Sequence, residues 1–300
     1  MSIAAGRQEE LTMVRSGVTQ SMWADTLRRL LRNPQGAIAV GGLLIIAIAA
    51  IAAPLIAWHD PIAQDASARL LSPSWDHPFG TDELRRDLFS RNLHGLKTAL
   101  ALSFVSVMTG AVIGTMTGFT VGYVRGWADS VVMRLVDALL AFPGLLIAFA
   151  ILTILGEGLE NIGIAIVVFA IPGFTRLSRA QMLGERNKDY VLAAQVLGAS
   201  TPRIIFRHIV INALPPLLVQ VALAIASGVL IVAALGYFGL GIEADTPSLG
   251  GLVNDSRPYL QRAWWYPVFP GAILAFLLLC LNLFADAINE AISPYARRSS

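Results

Sequence analysis

Six stretches of this chain are apolar over the length that a hydrocarbon core demands of a helix, about 20 residues. They run over residues 37–58, 99–122, 131–155, 162–178, 213–236 and 267–287. Backbone inside lipid must satisfy its hydrogen bonds internally, and single stretches of this length do so as helices. The expected fold class is therefore all-α, a polytopic membrane protein with six transmembrane helices. The fourth stretch is the weakest, being short and carrying Pro172. Composition agrees: 55% of residues are hydrophobic, 14% are charged, and the mean hydropathy is +0.64. The formal charge of +2 offers no polycationic face, which argues against nucleic acid and leaves membrane lipid as the expected surroundings.

An even number of spans places both termini on one side. Cytoplasmic loops retain Lys and Arg, and 15 of the 22 such residues fall on the side of the termini, among them Arg28, Arg29, Arg32, Arg176, Arg179, Arg186, Lys188, Arg203 and Arg207. Both termini and the 179–212 loop are therefore expected in the cytoplasm. The chain divides into a cytoplasmic tail (1–36), a first anchor (37–58), an extracytoplasmic loop (59–94), a core of five spans (95–292) and a cytoplasmic C-terminal tail (293–300). The first apolar stretch is too long for a signal-peptide core and is expected to stay as an anchor. Trp23, Leu27, Leu30 and Leu31 share one helical face before it, as in a helix lying in the membrane interface.

Within the spans, Gly110, Gly114, Gly118 and Gly122 recur every four residues, a ridge that lets a second helix approach closely. Arg134 and Asp137 stand at i,i+3, where pairing is geometrically available, and Asp286 and Glu290 at i,i+4. Cys280 is the single cysteine and reads as a packing residue. Trp264-Trp265-Tyr266 reads as part of an interfacial aromatic belt. No Gly-Lys-Ser/Thr phosphate loop is present, because Lys97 and Lys188 follow Leu96 and Asn187. ATP hydrolysis by this chain is therefore not expected. His59, His77, His94 and His208 show no metal-ligand spacing in the sequence, and no metal or cofactor is expected.

The polar loop between the fourth and fifth stretches has its own helical punctuation. Tyr190, Ala193, Ala194 and Leu197 form an i, i+3, i+4, i+7 apolar stripe. Gly198 stands where a left-handed helix cap is usual. Thr201 and Pro202 read as the N-cap and first residue of a second helix through Arg207 and His208. Pro215 and Pro216 predict a break on entry to the fifth span. A helix, tight turn, helix arrangement is expected, which could either dock a partner or fold back on the bundle.

This loop resembles the cytoplasmic loop of permease subunits in ATP-binding cassette importers, whose core is Glu-Ala-Ala, three residues, then Gly. Ala193, Ala194 and Gly198 match, whereas Leu192 stands where the acidic residue is usual. The segment His77-Pro78-Phe79-Gly80-Thr81-Asp82-Glu83-Leu84, with Arg86-Asp87 and Ser90-Arg91, is similar to the dipeptide and oligopeptide permease family, specifically its second permease subunit. Arg85 replaces a glycine usual there. Gly126-Trp127-Ala128-Asp129, Met133-Arg134, Asp137, Phe142-Pro143 and Leu240-Gly241 extend the likeness over roughly residues 75–292. The resemblance implies a type I importer permease fold and an inner-membrane location. It also implies a homologous second permease subunit, two cytoplasmic ATP-binding cassette ATPase subunits and an extracytoplasmic solute-binding protein. By the same resemblance, Asp189, Tyr190, Ala193, Ala194, Leu197, Gly198, Ala199, Ser200, Arg203 and His208 would couple to the ATPases. The implied cargo is a di- or oligopeptide, with glutathione or a nickel chelate as alternatives within the family. A stand-alone secondary transporter would show inverted repeats and a channel a filter or charge ring; neither is found in the sequence.

Overall fold

A computed structural model of the chain describes residue 28 and residues 30–66, 68–240 and 245–292. Among these residues the regular structure is helical. Five helices are long and apolar enough to cross a membrane, or six spans if a bent pair counts as one. They are α1 (Pro34–Ile51), followed by the short α2 (Ala53–Ile56), then α3 (Leu88–Val124), the pair α4 (Gly126–Leu140) and α5 (Gly144–Leu155), α6 (Leu159–Glu185), α9 (Val210–Tyr237) and α11 (Trp265–Ile292). Between α6 and α9 lie α7 (Asp189–Val196), α8 (Thr201–Ile204) and a π-helical turn, Ile205–Ile209; α10 (Leu249–Asp255) precedes α11. Of the expected interfacial face, Trp23 and Leu27 lie outside the described residues, while Leu30 is buried and Leu31 half-exposed.

The centre of the bundle is the pairing of α3 with α6. A Cβ built on Gly110 would stand 2.7 Å from Ala170 Cβ, and one on Gly114 would stand 2.6 Å from the Ile171 carbonyl oxygen. Built on Gly118 it would overlap the Thr175 carbonyl, and on Gly122 it would reach 3.0 Å from Met182 Cβ. Partner numbers rise together along both helices, so α3 and α6 run parallel. The seam closes only because these four positions lack side chains.

Four sequence expectations change. The fourth span, read as short and weak, is a 27-residue helix, and half of its most apolar window is buried in protein. A helix sheltered by its neighbours needs less hydrophobicity than one facing lipid. Pro172 sits inside it without ending it. The expected single span over 131–155 is instead two helices meeting at 93°. Pro143 cannot donate to the Leu139 carbonyl and pushes Phe142 away from helical geometry, so the ladder ends at Ala141 and restarts at Gly144. The first anchor likewise breaks at Ala52, six residues short of Trp58. Finally, Pro215 and Pro216 lie within α9, and the irregularity precedes them, in the π-helical turn.

The charged pairs also rearrange. Asp137 pairs with Arg176 of α6 rather than with Arg134, and Asp129 pairs with Arg179. Both ion pairs tie α4 to the last turns of α6. Glu290 accepts a hydrogen bond from Asn33 Nδ2 at 2.7 Å, joining the start of α1 to the end of α11. Cys280 is buried against Gly42 of α1, as a packing residue should be. Two of the three expected belt residues do not face outward: Trp265 and Tyr266 are buried in a cluster with Leu88, Leu252 and Ala263, whereas Trp264 is exposed.

At the opposite end of α3 from the 185–210 segment, the His77 to Arg91 motif folds as a buried polar network. Asp82 accepts from the Arg86 backbone N–H at 2.8 Å and from Arg86 Nε at 2.7 Å. Asp87 caps α3 by accepting from Ser90 N–H at 2.7 Å. Arg85, at the position where the resembled family has glycine, adopts φ +66°, in the left-handed region that costs a side chain about 1–2 kcal/mol.

Candidate partner-docking site

The expected helix, turn, helix is present at residues 189–204. Helix α7 ends in a Schellman cap: Gly198 N–H donates to the Gln195 carbonyl at 2.9 Å, and Ala199 N–H donates to the Ala194 carbonyl at 3.0 Å. Gly198 takes φ +78° there, a conformation open to glycine without steric cost. Helix α8 begins at Thr201, one residue before the expected start, and Ile204 N–H reaches the Ser200 carbonyl at 3.0 Å. Thr201 is therefore inside the first turn, and its hydroxyl donates to Tyr123 Oη at 3.2 Å instead of capping.

The apolar stripe divides differently from the expected one. Val191 and Ala194 are buried in the main core, with Tyr190 and Ala199 packed against it. Ala193 is exposed with Leu192, and Val196 and Leu197 are 88% and 85% exposed. The inner face thus follows Tyr190, Val191 and Ala194, while Leu192, Ala193, Val196 and Leu197 form an outward apolar face. Asp189, Ser200 and Arg203 are exposed around it. His208 belongs to the π-helical turn, and its side chain lies outside the described residues. The i, i+3, i+4, i+7 rule identified a helix but could not choose which of two apolar faces points inward.

Polar bonds fasten the inner face to three helices. Glu185, the last residue of α6, accepts from Lys188 Nζ and from Tyr190 Oη, each at 2.6 Å. Asn212 of α9 donates to Tyr190 Oη at 3.3 Å. Burial first, and then the hydrogen bond to the Glu185 carboxylate, pushes the Tyr190 hydroxyl up to about 12, so it remains a neutral donor across physiological pH. Arg186 donates to the Tyr123 carbonyl at 3.2 Å, with its guanidinium 5.9 Å from the Tyr123 ring centroid. The ends of α3, α6 and α9 therefore converge on this one short segment. Sequence reasoning missed Tyr123, Glu185, Val191 and Asn212. The i,i+3 spacing of Glu185 and Lys188 was a usable signal, whereas nothing local pointed to Tyr123.

Comparison with known proteins gives this segment its setting. The family of binding-protein-dependent transport system inner membrane components matches residues 110–298, and the N-terminal transmembrane domain of oligopeptide transport permease C matches residues 21–73. The chain is 39% identical to a di/tripeptide transport system permease protein of Pseudomonas aeruginosa, over 87% of this chain and 89% of that one. It is 41% identical to a probable D,D-dipeptide transport system permease protein of Escherichia coli, over 85% of each. A glutathione transport system permease protein of Pectobacterium atrosepticum is 35% identical over 95% of each. Among solved structures, a chain of the inward-facing MetNI methionine ABC transporter superposes with a TM-score of 0.56 at 22% identity, covering 68% of this chain and 96% of that one. That likeness supports the all-helical importer-permease fold. With 63% of its length matched by the family and relatives aligned nearly end to end, the chain belongs to the binding-protein-dependent transport system inner membrane components, as a multi-pass permease subunit of an ATP-binding cassette importer.

Proposed function

We propose that this chain forms half of a membrane pathway for di- or oligopeptides, and that residues 189–208 seat in a cleft of a cytoplasmic ATPase subunit. The supporting observation is the two-faced handle. Its inner face is bonded to α3, α6 and α9, while its outer face offers Leu192, Val196 and Leu197 to another molecule. Covering side chains of this size yields about 1.5–3 kcal/mol each. A partner gripping that face would move the ends of three spans together. In this reading, two ATPase subunits close on ATP and rock this chain and its homologous second permease subunit between inward-open and outward-open arrangements. A separate solute-binding protein delivers cargo at the far side, and both termini lie in the cytoplasm.

Peptide cargo is supported by the relatives, whose names specify di/tripeptide, D,D-dipeptide and glutathione transport. Leu192 replaces the acidic residue of the resembled loop, so the docking contact here is apolar at that position. The test is co-purification with tagged ATPase subunits, followed by ATP-dependent uptake of a labelled dipeptide into vesicles containing all subunits. Uptake by the isolated chain would contradict the proposal. Orientation is checked separately with Ser200→Cys in a Cys280→Ser background. This exposed turn position should react only with reagents that reach the cytoplasm, and labelling from outside intact cells would reverse the topology.

A further inference from the structure

The histidines show no metal-ligand spacing along the sequence, yet folding brings two of them onto one carboxylate. His77 Nδ1 lies 2.9 Å from Asp87 Oδ1, and His59 Nδ1 lies 3.9 Å from the same oxygen. The two imidazole rings sit 4.7 Å apart, centroid to centroid, inclined by 32°. The candidate donor atoms of all three residues fall within 4.8 Å of one another. Tetrahedral zinc with bonds of 2.0–2.1 Å separates its donors by about 3.3 Å, a spacing that the two measured distances bracket.

The surroundings hold these donors in place. The His77 backbone is fixed at both ends: its N–H donates to Ser74 Oγ at 3.1 Å, and its carbonyl accepts from Ser74 N–H at 2.9 Å and Gly80 N–H at 2.8 Å. Asp87 uses Oδ2 to cap α3 through Ser90 N–H, which turns Oδ1 toward the imidazoles. A ligating carboxylate whose second oxygen is hydrogen-bonded is the usual outer-shell arrangement at metal sites. His59 is tethered by its backbone N–H to Ser90 Oγ at 3.3 Å, while its side chain is 42% exposed and free to close the last fraction of an ångström. A hydrogen bond from His77 to Asp87 that merely buttresses the helix cap accounts for His77. It gives no reason for a second imidazole nitrogen beside the same oxygen.

We propose that His59, His77 and Asp87 form a binding site for a divalent transition-metal ion. Two imidazole nitrogens and one carboxylate oxygen suit Zn²⁺, with a fourth position left for water or for a donor from another molecule. The ion would clip the chain just beyond α2 to the cap of α3, joining the anchor to the first helix of the central seam.

The experiment is calorimetric titration of Zn²⁺ into the chelator-washed full chain in detergent, purified without a histidine tag. One ion per chain is expected. His59→Ala should weaken binding at least about tenfold, as loss of even an outer-shell group does, while leaving the melting temperature of the metal-free protein unchanged. His94→Ala is the control, because His94 Nδ1 engages the Ser90 carbonyl at 2.9 Å outside the cluster. Co²⁺ should give the intense visible absorption of a tetrahedral site, lost in His59→Ala. His77→Ala can fail by unfolding the loop, so the exposed His59 carries the decision. Absence of stoichiometric binding in the parent chain, or an unchanged affinity in His59→Ala, overturns the site.

Discussion

The α3–α6 seam and the 189–204 handle are both built from small and apolar residues around glycine, yet glycine does opposite work in them. In the seam, Gly110, Gly114, Gly118 and Gly122 are buried, and an added Cβ would meet the facing helix. In the handle, Gly198 has open space around it and is required for its left-handed turn. One region has its contacts complete within the chain. The other presents Val196 and Leu197 to solvent while its reverse side is pinned to three helices. Completed packing fits a region serving stability, and in the function proposed above the rigidly backed, uncovered apolar face serves another chain.

That contrast breaks most directly at the seam. Gly114→Ala would put a methyl 2.6 Å from the Ile171 carbonyl and 2.8 Å from Phe174 Cβ, so α6 itself must shift. A loss of about 2–3 kcal/mol is expected, the upper part of the range for overpacking, read as a lower melting temperature and reduced membrane yield. Tyr190→Phe comes next. It removes the 2.6 Å bond to the Glu185 carboxylate and should cost about 1.5 kcal/mol, as for a hydrogen bond to a charged group. Uptake should fall as well, because α7 loses a tie to α6 and α9.

Gly198→Trp should cost about 1–2 kcal/mol for the left-handed backbone. Insertion should remain normal while ATP hydrolysis is uncoupled from uptake. Normal uptake by that variant would refute the handle. Smallest is Arg85→Gly, which should raise the melting temperature by the equivalent of up to about 1 kcal/mol by relieving the φ of +66°, offset in part by the freer unfolded chain. An unchanged or lower melting temperature would show that contacts of the Arg85 side chain outweigh the strain.

The seam was legible in the sequence because a four-residue glycine repeat has one geometric meaning on a helix. The cap at Gly198 was legible for the same local reason. The fourth span was undervalued because hydropathy measures exposure to lipid, and α6 is sheltered by α3, α4 and α5. The 93° bend was missed because window averages pass over Pro143. The handle was legible as a helix but its facing was not, since Tyr190, Val191, Ala194, Val196 and Leu197 offer two apolar faces. Only the packing of Val191 and Ala194 against distant residues decides between them. Contacts across 78 residues, such as Thr201 to Tyr123, leave no local trace.

The central claim is that the outer face of the handle belongs to a partner. Its most direct test is the double variant Val196→Asp, Leu197→Asp, assayed for the thermal stability of the isolated chain and for co-purification with the ATPase subunits. Both side chains are almost fully exposed, so the melting temperature should not change, while co-purification and ATP-driven uptake should be lost. Retention of both by the double variant would contradict the account.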